Sequence, residues 1–439
     1  MAAQTASLLR DVDFHPCQWF SWGMNLGQNE FATALARGSG RAMVLLRQST
    51  EKESFREALV HACLRNVAYD PQCEDERCKF LARLIFETGD EVGFFTALVP
   101  RLTDDGIDVL QLFGVLAQLA AKCGDLQKLV VRRAYARLSD DDQFECLDAL
   151  VRLDGLPALI RGVERFVDIC EDEGWRARSL LDSLREHGEI DPAQLLLSAS
   201  AEYPQLERFI DCLRANQQPM PNAADETYEF AAIRAGLQLG QRPPGAWLRK
   251  LSEDEWRNLA EDFELQTEES SALQYLRLFQ RRPYPNDPRH MFQWMRSSNL
   301  RVLWSTAAAL GRIESPLVRD IALGRIQNGD PIGVRLLVSN YKFGDMRNIF
   351  KLLSGLSRDH EIHDLGLSVL DLVERNDISS NDSRDVLLLL YEKTPCSMCR
   401  RYAVEQLAKA GSVPSWIVEE CRFDADQDTA KLFDAKVVQ

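Results

Sequence analysis

The chain has 439 residues, enough for two or three ordinary domains or for one extended array whose core grows by addition. It carries 67 acidic against 52 basic residues, a formal net charge of −15, which favours solubility and argues against broad nonspecific attraction to nucleic acid or anionic membrane. With 45% hydrophobic residues it can bury a continuous core, yet its longest apolar stretches, such as 109–121, are broken by Gln111 and Gln118 and are too short to cross a bilayer.

The N-terminal stretch 1–16 contains Asp11 and Asp13 and no apolar signal core, so a cytoplasmic location is expected. Phe14, Trp19, Phe20, Trp22, Phe31 and Leu35 suggest a helical cap over the end of an array. From Phe55 onward apolar residues recur at helical spacing, with no sustained period of two, so the fold is expected to be all-α. Phe55, Leu59, Val60, Cys63, Leu64 and Val67 form one stripe, and Phe80, Leu81, Leu84 and Ile85 form its partner. Further stripes at 109–119, 126–138, 144–153 and 159–170 complete an N-terminal helical array over 1–215. Segment 216–224, with Pro219 and Pro221 and no apolar period, reads as a linker. A connecting helical region, 225–299, holds a second break at Pro283, Pro285 and Pro288.

Beyond it, two-helix units return every ~30 to 35 residues, within the period range of stacked helical repeats. In 300–327 the first helix carries Leu300, Leu303, Trp304, Ala307 and Leu310, and Pro316 separates it from a second helix carrying Leu317, Val318, Ile321 and Leu323. The next unit has Ile332, Leu336, Leu337 and Tyr341, a break at Gly344, then Met346, Ile349, Phe350 and Leu353. The third has Leu365, Val369, Leu370 and Val373, then Val386, Leu389 and Leu390. Tyr402, Val404 and Leu407 precede Pro414 in the fourth, which ends on Trp416, Ile417, Val418 and Cys421. A helix pair of this size cannot cover its own apolar stripe and must stack on a neighbour. This pattern over roughly 300–424 resembles the HEAT-like, armadillo-type helical repeats. The resemblance implies an α-α superhelix, the repeats running to 439, and a noncatalytic scaffold or adaptor that binds another protein through its concave surface. Since such repeats also occur in enzymes, an unrecognised pocket acting on nucleic acid or a small molecule is the alternative.

The eleven cysteines, Cys63, Cys123, Cys146, Cys170 and Cys212 among them, fall mostly on apolar helical faces and read as reduced packing residues. Cys396 and Cys399 are spaced i, i+3 after Thr394, a helix cap, and Pro395 at its first position, so both thiols belong to opening turns. Packing is the favoured role and no metal or cofactor is expected. The metal alternative joins Cys396 and Cys399 with Cys421 and His363, and a redox role is the third reading. His360, Glu361 and His363 lack HExxH spacing and read as a solvated helix start. Cys73 and Cys78, five apart, would point about 140° from each other on one helix and are assigned separately to packing or the surface. Asp140, Asp141 and Asp142 read as helix-start charge.

The segment 277–301 departs from the acidic background, with Arg277, Arg281, Arg282, Arg289, Arg296 and Arg301 against Asp287 alone. Tyr284, His290, Phe292 and Trp294 are interleaved. Arg277, Arg281, Arg282, Arg289, Trp294 and Arg296 are therefore the candidate surface for an acidic protein partner. Overall charge disfavours nucleic acid, and the alternative is internal ion pairing.

Overall fold

The computed structural model describes residues 25–74, 76–172, 174–188, 191–215, 229–243 and 245–433, and among them there is no strand. The first half runs through α1 (Asn25–Ala36), α2 (Arg41–Gln48), α3 (Arg56–Leu64), α4 (Arg77–Thr88), α5 (Glu91–Leu98) and α6 (Val109–Cys123). It continues with α7 (Asp125–Tyr135), α8 (Asp140–Asp154), α9 (Leu156–Asp172), α10 (Gly174–Glu186), α11 (Pro192–Ser200) and α12 (Gln205–Ala215). The second half begins with α13 (Phe230–Gln238), α14 (Gly245–Leu248), α15 (Glu253–Glu264) and α16 (Glu269–Phe279), then a 3-10 stretch, Pro288–Arg296. Next come α17 (Leu300–Leu310), α18 (Pro316–Gln327), α19 (Ile332–Leu336), α20 (Met346–Gly355), α21 (Asp359–Asn376) and α22 (Ser380–Lys393). The chain closes on α23 (Ser397–Lys409), α24 (Ser415–Cys421) and α25 (Gln427–Lys431).

Local chemistry sets many of these boundaries. Ser139 caps α8 by accepting from the Asp142 amide, so the acidic run opens the helix where its N-terminal partial charge is positive. Ser252 and Glu255 form a reciprocal capping box at α15. Pro316 occupies the first turn of α18, and Gly344, with φ +93°, makes the break before α20. The eight helices α17 to α24 correspond to the four expected pairs. Leu300 and Leu317, however, are exposed rather than buried. Both stand in the opening turns of their helices, where no preceding turn covers them.

Packing follows an alternating order. In the second half α17, α19, α21 and α23 touch in succession, as do α18, α20 and α22. In the first half the succession is α2, α4, α6, α8, α10 and α12. One hydrophobic cluster spans Phe31 to Leu213 and a second spans Ile233 to Cys421, so the described residues of 229–299 share a core with the helices after them. Of the residues expected to cap the array, Phe31 and Leu35 are buried in α1, whereas Phe14, Trp19, Phe20 and Trp22 lie outside the described residues.

The two halves meet where the chain begins and ends. Helix α2 packs on α24, Ala425 belongs to the first cluster, and Cys73 packs against the second. The Ala425 amide donates to the Gly38 carbonyl at 2.8 Å. Gly40 permits this approach, since a Cβ there would stand 1.8 Å from the Glu420 carbonyl oxygen. Gly40→Ala should therefore force the junction apart at a cost of about 1–3 kcal/mol. Gly324→Ala, inside α18 with open space around its Cβ position, should gain about 0.5–1 kcal/mol instead. Urea midpoints of the two variants should move in opposite directions.

Candidate functional site

At the junction, three chemically active groups converge. Cys396 is the N-cap residue of α23 and Cys399 lies in its first turn, so the helix starts two residues later than Thr394 and Pro395 suggested. The reason is local: the Thr394 hydroxyl accepts from the Cys396 amide at 3.3 Å, holding 394–396 extended before the helix begins. His363, in the second turn of α21, brings Nδ1 to 3.5 Å from Cys399 Sγ. The ligand atoms of His363, Cys396 and Cys399 all lie within 4.8 Å of one another. Cys396 and Cys399 are buried and His363 is half-buried, with the Tyr69 ring tilted over it at 5.2 Å between centroids.

A fourth sulfur approaches from the other half of the chain. Cys73 ends a short 3-10 turn, Pro71–Cys73, ahead of α4, and its carbonyl accepts from Ser397 Oγ at 2.9 Å. Its thiol interacts with Cys396 and with Asp70, whose carboxylate stands 3.3 Å away. Cys78 instead lies within α4, with its sulfur against Gly114. Cys73 and Cys78 therefore do not share one helix as their spacing alone implies, and Pro71 is the signal that Cys73 belongs to a separate turn.

Proximity perturbs all of these groups. Hydrogen bonding from Cys399 lowers the Cys396 thiol against the opposing effect of burial, with His363 assisting. Cys399 is raised by the same hydrogen bond and by burial. Hydrogen bonding to Cys396 raises His363 despite its burial. Burial, Asp70 and Cys396 push Cys73 up to about 12. The positive end of α23 adds to the stabilisation of negative charge on its opening cysteines. Cys421 does not join this group; it is buried in α24, raised by burial and by Asp424. His360 is an exposed residue of the first turn of α21.

Beside the cluster runs a buried ionic seam. Arg400 donates to both oxygens of Asp424, at 2.8 and 2.9 Å, and the two side chains are 1% and 0% exposed. Burial raises the Asp424 carboxyl and Arg400 opposes that rise. Arg77 contacts Glu74 at 2.5 Å, the Gln111 side chain at 2.9 Å and the Leu35 carbonyl at 3.1 Å. Arg41 holds Glu392 through two nitrogens at 2.6 Å each and Glu420 at 2.8 Å, and Tyr391 donates to Glu420 at 2.7 Å. A shallow concavity lined by Glu30, Arg37, Arg41, Tyr391, Glu392 and Arg400 opens above this seam.

The arginine-rich segment is divided. Arg282 pairs with Glu253, donates to the Leu251 carbonyl at 3.2 Å and lies over the Trp256 ring. Arg289 pairs with Asp287 at 3.3 Å, and half-buried Arg277 reaches Gln274 at 3.4 Å. Trp294 is only 7% exposed and belongs to the second core, as does Tyr284, so both stand behind the surface. Arg281, Arg296 and Arg301 are exposed and make no ion pair among the described residues.

No family model matches the chain and no curated protein matches it. A crystal structure of an engineered protein aligns over 91% of this chain and 96% of its own, at 14% identity with a TM-score of 0.18.

Glu264 anchors the arginine segment, accepting from the Tyr284 hydroxyl at 2.7 Å and from Asn286 at 2.8 Å. Burial acts to raise its carboxyl, but these donors and His290 hold it below the ordinary value. Glu264→Ala should leave the buried Tyr284 hydroxyl without an acceptor, at about 1–3 kcal/mol. Amides in 281–290 should then exchange with solvent about 10-fold faster at neutral pH, while those of α17 keep their rates.

Proposed function

We propose that the protein is a noncatalytic HEAT-like scaffold, an α-α superhelix that binds an acidic protein partner on its concave surface. The alternating order of helix packing supports this reading most directly. The contact of α2 on α24 joins the two series across the junction, so on this reading the stack runs from α13 to α24 and then from α1 to α12. About twelve helices per layer at 8–10 Å spacing give a contour of roughly 100 Å. The far ends are joined covalently by residues 216–228, whose full extension reaches about 50 Å. The stack therefore curves back on itself, and a curved two-layer stack has a concave face.

Charge defines the partner. In a chain of net charge −15, Arg281, Arg296 and Arg301 are exposed without internal counter-ions among the described residues, and exposed cations of this kind speed and orient docking to an acidic surface. The buried carboxylates Glu74, Glu420 and Asp424, by contrast, are each engaged by arginines and serve the junction.

The test is affinity capture with the full-length protein and with an Arg281→Glu, Arg296→Glu, Arg301→Glu variant. The native protein should recover a stoichiometric acidic partner, and the complex should weaken steeply with salt. The triple variant should lose at least about 10-fold in affinity yet melt within about 2 °C of the native protein, because exposed charges contribute little stability. A variant that captures the same partner at unchanged affinity removes this surface. Absence of any stoichiometric partner counts against the scaffold itself.

A further inference from the structure

We propose that Cys73, His363, Cys396 and Cys399 form a tetrahedral zinc site that clasps the beginning of the chain to its end. Three of the four groups already stand at chelating distance. In a tetrahedral site with Zn–S near 2.3 Å and Zn–N near 2.0–2.1 Å, a sulfur and a nitrogen are about 3.6 Å apart and two sulfurs about 3.8 Å apart. Cys399 Sγ and His363 Nδ1 are 3.5 Å apart, and the full set of three closes within 4.8 Å. The fourth position falls to Cys73: its sulfur is not part of that set of three and faces Asp70 at 3.3 Å, but its carbonyl is tied to the start of α23 by the Ser397 hydroxyl at 2.9 Å, which holds the residue beside the cluster. The four donor groups come from three separate segments, so this is no accident of one amphipathic stripe. Cys396 and Cys399 open α23, His363 comes from α21, and Cys73 comes from the turn before α4.

The donor set selects the metal. Three thiolates and an imidazole in a closed, mostly buried position match structural zinc, whereas magnesium and calcium require oxygen ligands. No position is left for water, so the site is structural. On binding, the zinc takes up the thiolates of the three cysteines and their protons pass to solvent; no electron transfer is involved. This inference is independent of the scaffold reading, since a zinc clasp would serve any function that needs the two ends joined.

Metal analysis of the full-length protein, purified without chelator from zinc-supplemented cells, should return close to one zinc per chain. Cys399→Ser should lose it. Cys73→Ser should weaken zinc by about 100-fold in competition with a chromophoric chelator, and Cys421→Ser should leave it unchanged. Cobalt reports the thiolate count directly: the sulfur-to-metal charge-transfer band of the native protein should fall by about a third in Cys73→Ser and in Cys73→His, while Cys73→His retains tight binding. The native cobalt spectrum alone distinguishes three thiolates from two should Cys73→Ser fail to fold. Chelator should lower the native melting temperature and leave that of Cys399→Ser unmoved. A zinc-free native protein overturns the site, and unchanged zinc affinity with an unchanged cobalt band in Cys73→Ser overturns Cys73 as a ligand.

Discussion

The arrangement depends on one contact between sequence-distant ends, in which Arg41 from α2 grips Glu392 and Glu420 from α22 and α24. Two carboxylates and a guanidinium lose much of their hydration there, and the cost is offset by bidentate geometry, by the Tyr391 hydroxyl on Glu420 and by the Trp416 ring beneath the guanidinium. A helix stack has two open ends, each presenting apolar surface that water penalises. Packing α24 on α2 covers apolar surface of both halves: Ala425 belongs to the first cluster, while Cys73 packs on the second. The order along the chain therefore differs from the order in space.

That difference marks what the residues reveal without coordinates. Helical periodicity is a local property, and the four pairs from α17 to α24 follow it closely because each stripe needs only its own turn to be recognised. Pro316, Gly344 and Pro414 punctuate the expected places for the same reason. The all-α class follows from that local signal too. A contact between residues 41 and 392 leaves no periodic trace, since each partner is simply one charged residue among many. Trp294 shows the converse error, for an aromatic among arginines reads as surface chemistry, yet its stretch Pro288–Arg296 turns it inward with Met291 and Met295.

The cysteines illustrate the same limit at the level of a site. Their i, i+3 spacing placed Cys396 and Cys399 together, and His363 entered as a neighbour by helix order. Cys73 lies 323 positions before Cys396, and spacing on a continuous helix says nothing of its place, because Pro71 and the turn ending at Cys73 set it apart from α4. Cys421 was the plausible fourth member by sequence proximity. Its sulfur instead fills α24 beside Tyr391 and Asp424, where burial makes the neutral thiol the favoured form.

The junction is polar where an apolar one would have been simpler, and this bears on how the ends find one register. Methyl-lined faces of stacked helices slide past one another at little cost, because many offsets bury similar area. Arg41 with Glu392 and Glu420, and Arg37 on the Glu392 carbonyl at 2.7 Å, cross between the halves and tolerate no such slippage: an offset of one turn strands partly buried ions, at several kcal/mol. The thiol–imidazole cluster lies beside this seam, with Cys73 adjacent to Glu74 and Cys399 adjacent to Arg400 in the chain. Alignment of the ions thus brings Cys73 to the cluster that α21 and α23 have already formed. The apolar stripes supply the cohesion of each half, and the polar seam selects the single way in which the two halves meet.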